Sequence, residues 1–256
     1  MALLHTQFFS DSLGMCTSVD IIIPESRKKL IGMESEASAT YKTLYLLHGL
    51  SDDQTIWQRR TSIERYAARY GLAVVMPCGA KSWYTDMVNG DAYYTYISKE
   101  LPEFCRSMFK GMSDKREDNY IAGLSMGGYG ALKIGLNNPD KFCAIAAFSG
   151  ALDVYTYAKT RHFSAFQNIF GDPESIPESM HDVYYLGKKV SELSERPSIY
   201  LWCGTEDFLI EDNRRFTKLL SECSYDHIYS ESSGIHAWEY WDTQIEKVLS
   251  IWFQKQ

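Results

Sequence analysis

The sequence predicts an α/β protein built on a twisted, mostly parallel sheet with helices on both faces. Short β-branched or aromatic runs alternate along the chain with longer runs of helical periodicity, which is the order typical of a parallel sheet. Residues 142–148 read Phe-Cys-Ala-Ile-Ala-Ala-Phe, as expected of a strand buried on both faces. The 256 residues, 45% hydrophobic and 23% charged, suffice for one large α/β domain or two small ones.

Turn residues delimit the predicted elements of the first half. Pro24 ends the first strand, His48-Gly49 stops the second and Pro77 ends the third. Gly71 closes the helix before the third strand, and Pro102 is expected to kink or restart a long helix. The strands are predicted over 17–23, 41–47 and 72–76, and the helices over 61–70 and 92–109.

The second half repeats the alternation, with one interruption. Strands are predicted over 119–122, 142–148, 198–203 and 226–230, and helices over 123–136, 212–223 and 239–253. Residues 152–196 are aromatic and irregular, and they are far more numerous than the few residues of a usual connection. We expect this segment to be a partly helical insertion that caps an active site.

Charge and hydropathy exclude two classes of protein. The 26 Lys and Arg residues stand against 33 Asp and Glu residues, a net charge of -7. Nucleic-acid binders usually need a basic face, so we expect no nucleic-acid partner. No apolar run approaches the roughly 18 residues of a membrane-spanning helix, so we expect no membrane span.

The cysteines and the first residues predict a cytoplasmic location. Residues 1–10 contain no Lys or Arg, and His5 interrupts their apolar run, unlike a secretory signal. A chain of this size has its own core, so we expect no disulfide framework among its cysteines. The six cysteines lie far apart without a Cys-x-x-Cys pair: Cys16, Cys78, Cys105, Cys143, Cys203 and Cys223.

The motif Gly123-Leu124-Ser125-Met126-Gly127 is the sharpest chemical signal. It follows a predicted strand and opens a predicted helix, which is the context of a nucleophile elbow. The flanking glycines carry no Cβ atoms that would clash in so tight a turn, and the helix N-terminus offers free N–H groups to a developing negative charge. The alternative is a glycine-rich turn with an inert serine.

A serine nucleophile needs a base and an acid that orients the base. His236 lies in a loop between the last strand and the last helix, where the fold places its catalytic histidine. Asp207 follows directly on the strand that ends near Cys203, and Glu206 is its nearest competitor. Asp212 is better explained as a partner of the next helix N-terminus.

The other histidines have structural explanations. His227 lies within a predicted strand, whereas His162 and His181 lie in the insertion and could at most line a pocket. His48 precedes Gly49-Leu50 after an early strand. In this arrangement one oxyanion N–H comes from this early loop and the other from the residue after the nucleophile, so the backbone N–H groups of Leu50 and Met126 are the candidate oxyanion hole, with His48 structural.

Together these motifs resemble the putative esterase family of α/β-hydrolases, the esterase D-like group, and most of all its bacterial tributyrin-esterase branch. The resemblance covers nearly the whole chain. In esterase D proper we expect a cysteine shortly after His48-Gly49-Leu50, where this chain has Ser51-Asp52-Asp53, which argues against a glutathione thioester. The resemblance rests on His48-Gly49-Leu50, Ser82-Trp83-Tyr84, Glu100-Leu101-Pro102, Gly123 to Gly128, Phe148-Ser149-Gly150, Gly204-Thr205-Glu206-Asp207 and Gly234-Ile235-His236-Ala237-Trp238.

The resemblance implies a cytoplasmic serine carboxylesterase for short acyl esters, acetyl to butyryl, that needs no metal or cofactor. Ser125, Asp207 and His236 would share one site, which makes residues 1–256 one domain. Trp83, Tyr84 and Trp238 are candidate substrate-binding residues, with core packing as the alternative. The competing functions are thioester, feruloyl ester or acetyl-carbohydrate hydrolysis on the same triad, and a non-catalytic binding module. We expect a small-molecule ester as partner; the sequence leaves a homo-oligomer open.

Overall fold

One mostly parallel sheet organises the chain. The computed structural model describes residues 1–25, 39–160 and 164–253. Within these residues, eight strands form a sheet in the order β1-β2-β4-β3-β5-β6-β7-β8. Strand β2 runs antiparallel to both of its neighbours, β1 and β4, whereas the strands from β4 to β8 in that order are parallel to one another. The strands are β1 Ala2–Ser10, β2 Met15–Ile23, β3 Thr43–Leu47, β4 Ala73–Pro77, β5 Asn119–Leu124, β6 Ala144–Phe148, β7 Ser198–Gly204 and β8 His227–Ser232.

Helices cover both faces of this sheet, as the sequence predicts. Along β6, Ile145 and Ala147 join the core beneath one layer of helices, whereas Ala146 and Phe148 join the core on the opposite face. This alternation explains why the strand is apolar throughout. The helices are α1 Ile56–Arg60, α2 Ile63–Tyr70, α3 Tyr93–Thr95, α4 Leu101–Met108, α5 Met126–Asn137, α6 Val154–Thr160, α7 Ser164–Phe170, α8 Val183–Ser191, α9 Ile210–Glu222 and α10 Trp238–Phe253.

The sequence reasoning did not predict strand β1. It pairs with β2 along its whole length, from Ala2 opposite Ile23 to Ser10 opposite Met15. It lies at the edge of the sheet, and its residues alternate between exposed and half-buried along much of its length. A strand with one solvated face carries polar residues at every second position, and residues such as His5 break the apolar run by which the buried strands were predicted.

Of the two outcomes expected at Pro102, a kink or a restart, the structure shows an α-helix that restarts after a π turn. The helical chain passes from α3 through a π turn at Tyr96–Glu100 into α4, with Pro102 in the first turn of α4. A proline has no N–H to donate and its ring collides with the carbonyl one turn earlier. The wider π turn accommodates both effects without ending the helical chain.

In its described residues, 152–160 and 164–196, the segment 152–196 contains three helices and a short 3-10 turn, Pro173–Ser175. Helix α8 packs on α5 and α9 through Val183, Leu186 and Val190, which are buried in the same core as Leu132. The segment is therefore anchored on the core rather than projecting from it. His162, one of the two histidines expected there, lies outside the described residues.

Candidate active site

Ser125 occupies a sharp turn between β5 and α5. Its backbone has φ 53° and ψ -118°, a conformation that non-glycine residues rarely adopt. The Ser125 N–H donates to the Phe148 carbonyl at 2.9 Å, and the Ser125 carbonyl accepts from the Ala151 N–H at 3.1 Å. These bonds to the last residue of β6 and to the loop after it hold the strained turn in place.

The glycines on either side of Ser125 are required by close packing. A Cβ on Gly123 would collide with the Gly127 carbonyl oxygen, and a Cβ on Gly127 would lie 2.5 Å from the Leu47 carbonyl oxygen. The start of α5 therefore lies directly against the end of β3. The tight approach explains the Gly-x-Ser-x-Gly spacing.

Asp207 and His236 form a hydrogen-bonded pair. The His236 Nδ1 lies 2.8 Å from Asp207 Oδ2, and the Asp207 side chain is fully buried while that of His236 is 20% exposed. Asp207 Oδ1 also accepts from the Leu209 N–H at 2.9 Å. Burial raises the pKa of Asp207, but the bonds from His236 and Leu209 outweigh it and leave this pKa below its usual range. A carboxylate can only accept, so Nδ1 carries the proton and Nε2 is left as a basic nitrogen.

The loop that carries His236 is held by the neighbouring carboxylate, Glu206. Its side chain accepts from the Gly234 N–H at 2.6 Å, and its own N–H donates to the Gly234 carbonyl at 3.1 Å. A Cβ on Gly204 would collide with this same carbonyl oxygen. Glu206 therefore anchors the histidine loop, whereas Asp207 contacts the imidazole.

Ser149 and Trp241 contact the Asp207–His236 pair and hold it in place. Ser149 is fully buried with φ 48°, and its Oγ accepts from the Trp241 indole N–H at 3.2 Å. A hydrogen bond with the Ser149 side chain also lowers the pKa of Asp207. The Trp241 ring meets the His236 ring edge-on, with centroids 4.8 Å apart. The aspartate and the histidine are thus fixed by Ser149, directly after β6, and by Trp241 of α10.

Ser125 and His236 border one cavity of about 330 Å³. Leu50 and Met126, whose N–H groups are the expected oxyanion donors, border it too. The first hydrogen bond of α5 runs from the Tyr129 N–H to the Ser125 carbonyl, so the N–H groups at the start of the helix have no carbonyl in the helical ladder to bind. The cavity is bordered by Gly49, Leu50, Asp52, Trp83, Leu124, Ser125, Met126, Ala151, Tyr157, Phe208, Leu209, His236, Trp238 and Trp241.

His48 has the structural role that the sequence predicts. Its ring is buried, with Nδ1 2.7 Å from the Gly49 carbonyl and Nε2 accepting from the Gly79 N–H at 2.8 Å. Burial lowers the pKa of His48, so the neutral ring joins the turn after β3 to the loop after β4. It shapes the turn that presents the Leu50 N–H.

The structure places two of the three candidate substrate-binding residues at the cavity. Trp83 and Trp238 border it. Tyr84 does not, and this expectation is corrected. Its side chain is fully buried, its hydroxyl donates to the His48 carbonyl at 2.8 Å, and its ring occupies the space beside Gly130. Tyr84 therefore braces the turn after β3.

Sequence reasoning missed six further residues of the cavity wall: Asp52, Ala151, Tyr157, Phe208, Leu209 and Trp241. Phe208 follows Asp207 directly and its ring lies 4.7 Å from that of His236, so its position was accessible from the aspartate motif. Tyr157 comes from α6 in the segment 152–196, for which the sequence gives no register. In the part of the chain that the structure describes, no group of three His, Cys, Asp or Glu side chains is placed to hold a metal ion.

Comparisons with known proteins show the family to which the chain belongs. The family model described as Putative esterase matches residues 10–250. The acetyl esterase of Caldicellulosiruptor saccharolyticus is 33% identical over 265 residues, covering 100% of this chain and 99% of that protein. Two solved structures from Staphylococcus aureus are each 35% identical and cover 99% of both chains. One is the fluorophosphonate-binding serine hydrolase FphF, with a TM-score of 0.88, and the other an S-formylglutathione hydrolase, FrmB, with a TM-score of 0.86.

Fold and relatives define the class of this protein as an α/β-hydrolase that acts as a serine carboxylesterase. Within that class, the chain belongs to the esterase family whose model spans residues 10–250. Among the described residues, no helix is both long and apolar enough to cross a membrane.

Proposed function

We propose that this chain hydrolyses short-chain carboxylic esters, with Ser125 as nucleophile, His236 as general base and Asp207 as the residue that orients His236. The observation that carries the proposal is the 2.8 Å Asp207–His236 bond beside a cavity that His236 shares with Ser125 on its strained turn.

The reaction follows from the chemistry of these groups. Ser125 Oγ attacks the ester carbonyl while His236 Nε2 takes its proton. The buried Asp207 carboxylate stabilises the imidazolium that forms. His236 then returns the proton to the departing alcohol, and a water molecule releases the acid from the acyl-enzyme by the same steps.

The backbone N–H groups of Leu50 and Met126 are proposed to stabilise the tetrahedral oxyanion. Both residues border the cavity beside Ser125. The start of α5 adds its positive end to the same region. Losing one such donor typically costs about 2.7–4 kcal/mol of transition-state stabilisation, so the packing that holds Gly49 and Gly127 bears directly on the rate.

The size of the cavity supports a preference for acetyl to butyryl groups. Its volume of about 330 Å³ lies at the lower end of ligand pockets. Trp83 and Trp238 are large, rigid walls, and Tyr157 extends the wall from the segment 152–196. We propose that this segment acts as a partial cap on the site.

The decisive experiment compares wild type with Ser125→Ala on p-nitrophenyl esters of increasing chain length. We expect the variant to lose at least about 10³-fold in kcat/KM, and the wild type to prefer acyl chains of two to four carbons. A fluorophosphonate probe should label wild type and the control Ser107→Ala, an exposed serine on α4, but not Ser125→Ala. Unchanged turnover in Ser125→Ala would refute the triad, a maximum above eight carbons would refute the short-chain preference, and absent turnover and labelling would favour a binding module.

Thioester hydrolysis is the second candidate. It is favoured by the 35% identity to the staphylococcal S-formylglutathione hydrolase. The same triad would serve both reactions, since they differ in the leaving group. A comparison of kcat/KM for S-formylglutathione, phenolic acetates, feruloyl esters and sugar acetates on the purified protein ranks these substrate classes directly.

A cytoplasmic location is proposed from the cysteines. All six are free thiols, and Cys105 and Cys203 are buried. A reducing compartment is where such thiols persist. Cell fractionation with an antibody to the chain tests the location.

A further inference from the structure

Asp52 places a carboxylate beside the nucleophile that the proposed reaction does not use. It lies on the turn after β3 and borders the cavity. One carboxylate oxygen lies 3.3 Å from the position that a Gly49 Cβ would occupy, and the Ser125 Cβ lies 3.7 Å from that same position. Asp52 and Ser125 therefore border the same small space.

The carboxylate of Asp52 is the acidic group of the cavity wall. Among the described residues that border the cavity there is no Lys or Arg, and apart from Asp52 and His236 the wall is made of uncharged side chains. Arg60, near the end of α1, attracts the Asp52 charge, while the neighbouring Asp53 opposes it. The wall thus presents a negative charge to any group that enters.

Partial burial strengthens the effect of this charge. The Asp52 side chain is half-buried, and desolvation raises its pKa, followed by the effect of Asp53. A charge removed from water is less screened, so it acts more strongly on a nearby ion than a surface carboxylate does. A second negative charge in the cavity would meet repulsion.

We propose that Asp52 is a specificity-determining residue that makes this esterase discriminate against anionic esters in favour of neutral and cationic ones. The inference rests on the proposed ester hydrolysis at Ser125 and deepens it by naming the charge class of the substrate. At about 7 Å and an effective dielectric constant of about 20, repulsion between two unit charges changes a rate by tens of fold before salt screening. We therefore expect an effect of about tenfold.

The test uses a matched pair of aryl acetates, 3-acetoxybenzoate and 3-acetoxybenzamide, which carry a single ester bond each and differ in one negative charge. The measured quantity is the ratio of kcat/KM for the neutral ester to that for the anionic ester, because comparing this ratio between variants cancels the intrinsic reactivity of each ester. In Asp52→Asn we expect the ratio to fall about tenfold, and in wild type we expect it to fall as salt is raised. For a trimethylammonium analogue of the same aryl acetate, we expect the value of kcat/KM relative to that of the neutral ester to fall in Asp52→Asn.

Asp53→Asn is the matched control. It makes the same chemical change one residue away, but Asp53 is exposed and its carboxylate accepts from the N–H and hydroxyl of Thr55, at 2.9 and 2.6 Å, outside the cavity wall. This variant should keep the wild-type ratio.

The outcomes separate the two proposals. If Asp52 only stabilises the turn, Asp52→Asn slows both esters equally, and an unchanged ratio overturns the inference while ester hydrolysis stands. If Asp53→Asn lowers the ratio as much as Asp52→Asn, the discrimination comes from general surface charge and the inference is also wrong. If wild type hydrolyses neither ester, or Ser125→Ala hydrolyses both as well as wild type does, the proposed function itself fails.

Discussion

Adjacent carboxylates at the end of β7 have different contacts. Asp207 is buried and bonded to His236, whereas Glu206 is exposed and bonded to the Gly234 N–H. Sequence order left both as candidates for the acid. The direction of the two side chains, set by the turn after Gly204, separates the group that orients the imidazole from the group that anchors its loop.

At this scale we predict that Asp207→Asn lowers kcat by about 10³- to 10⁴-fold, because an amide in place of the carboxylate favours the wrong tautomer of His236 and does not stabilise the imidazolium. Glu206→Gln should cost less than about tenfold, since its carbonyl oxygen still accepts from the Gly234 N–H. Steady-state kinetics on p-nitrophenyl acetate measure both. Equal losses in the two variants would contradict the assignment of Asp207 over Glu206.

The signals for Ser125, Asp207 and His236 could be found in the sequence because each is local: a motif, a strand end and a loop before a helix. Asp52, Ser149 and Trp241 enter the site only through packing between distant elements, which periodicity does not encode. Trp83 and Tyr84 show that the sequence does not separate a cavity residue from a packing residue even at adjacent positions. Both have φ 52°, and this turn sends one ring to the cavity and the other beneath α5.

At the scale of the element, α5 forms a helix although its sequence has a low helix propensity. Four glycines lie within it, and each costs up to about 1 kcal/mol relative to alanine in a helix. The structure supplies the reason, because α5 approaches the ends of β3 and β5 and the ring of Tyr84 more closely than a Cβ allows. Sequence alone shows the unfavourable composition, and the structure shows the contacts that require it.

We predict that Gly127→Ala lowers the free energy of unfolding by at least about 2 kcal/mol, because its Cβ would lie 2.5 Å from the Leu47 carbonyl oxygen, where backbone must move. Gly187→Ala, within α8, is the control: its Cβ would meet side-chain carbons of Leu220 and Phe216 at 3.2 and 3.3 Å. We expect that change to stay within about 1 kcal/mol. Urea unfolding measures both, and equal stabilities for the two variants would show that the approach of α5 to β3 is not tight.

At the scale of the whole molecule, the segment 152–196 meets α5 around buried basic groups. Lys133 of α5 is fully buried, donates to the Thr85 hydroxyl at 2.6 Å and lies over the ring of Phe170. His181 also packs on Phe170, and its Nδ1 is buried without a hydrogen-bond partner among the described residues. Burial, and then the charge of Lys133, lower the pKa of His181 to about 3.

This contact predicts that the protein loses stability in acid. An unfolded histidine has a pKa of about 6.5, so between about pH 6.5 and 3 the unfolded chain binds a proton that the folded chain does not, and the free energy of unfolding falls as the pH drops. We expect a loss of about 1–3 kcal/mol from this group between pH 7 and 4.5. His181→Gln should lose correspondingly less over that range in urea unfolding; an identical loss in both proteins would show that His181 does not couple the segment to pH.

The distribution of the cysteines has a practical consequence for handling the enzyme. None of the six borders the cavity around Ser125, and Cys16 on β2 is the exposed one, with the others partly or fully buried. Maleimide chemistry directed at Cys16 would therefore tether the protein to a solid support, or attach a dye to it, with the cavity around Ser125 left open. The reaction relies on a hydroxyl group, so the tethered catalyst would tolerate the thiol reagents that inactivate cysteine enzymes.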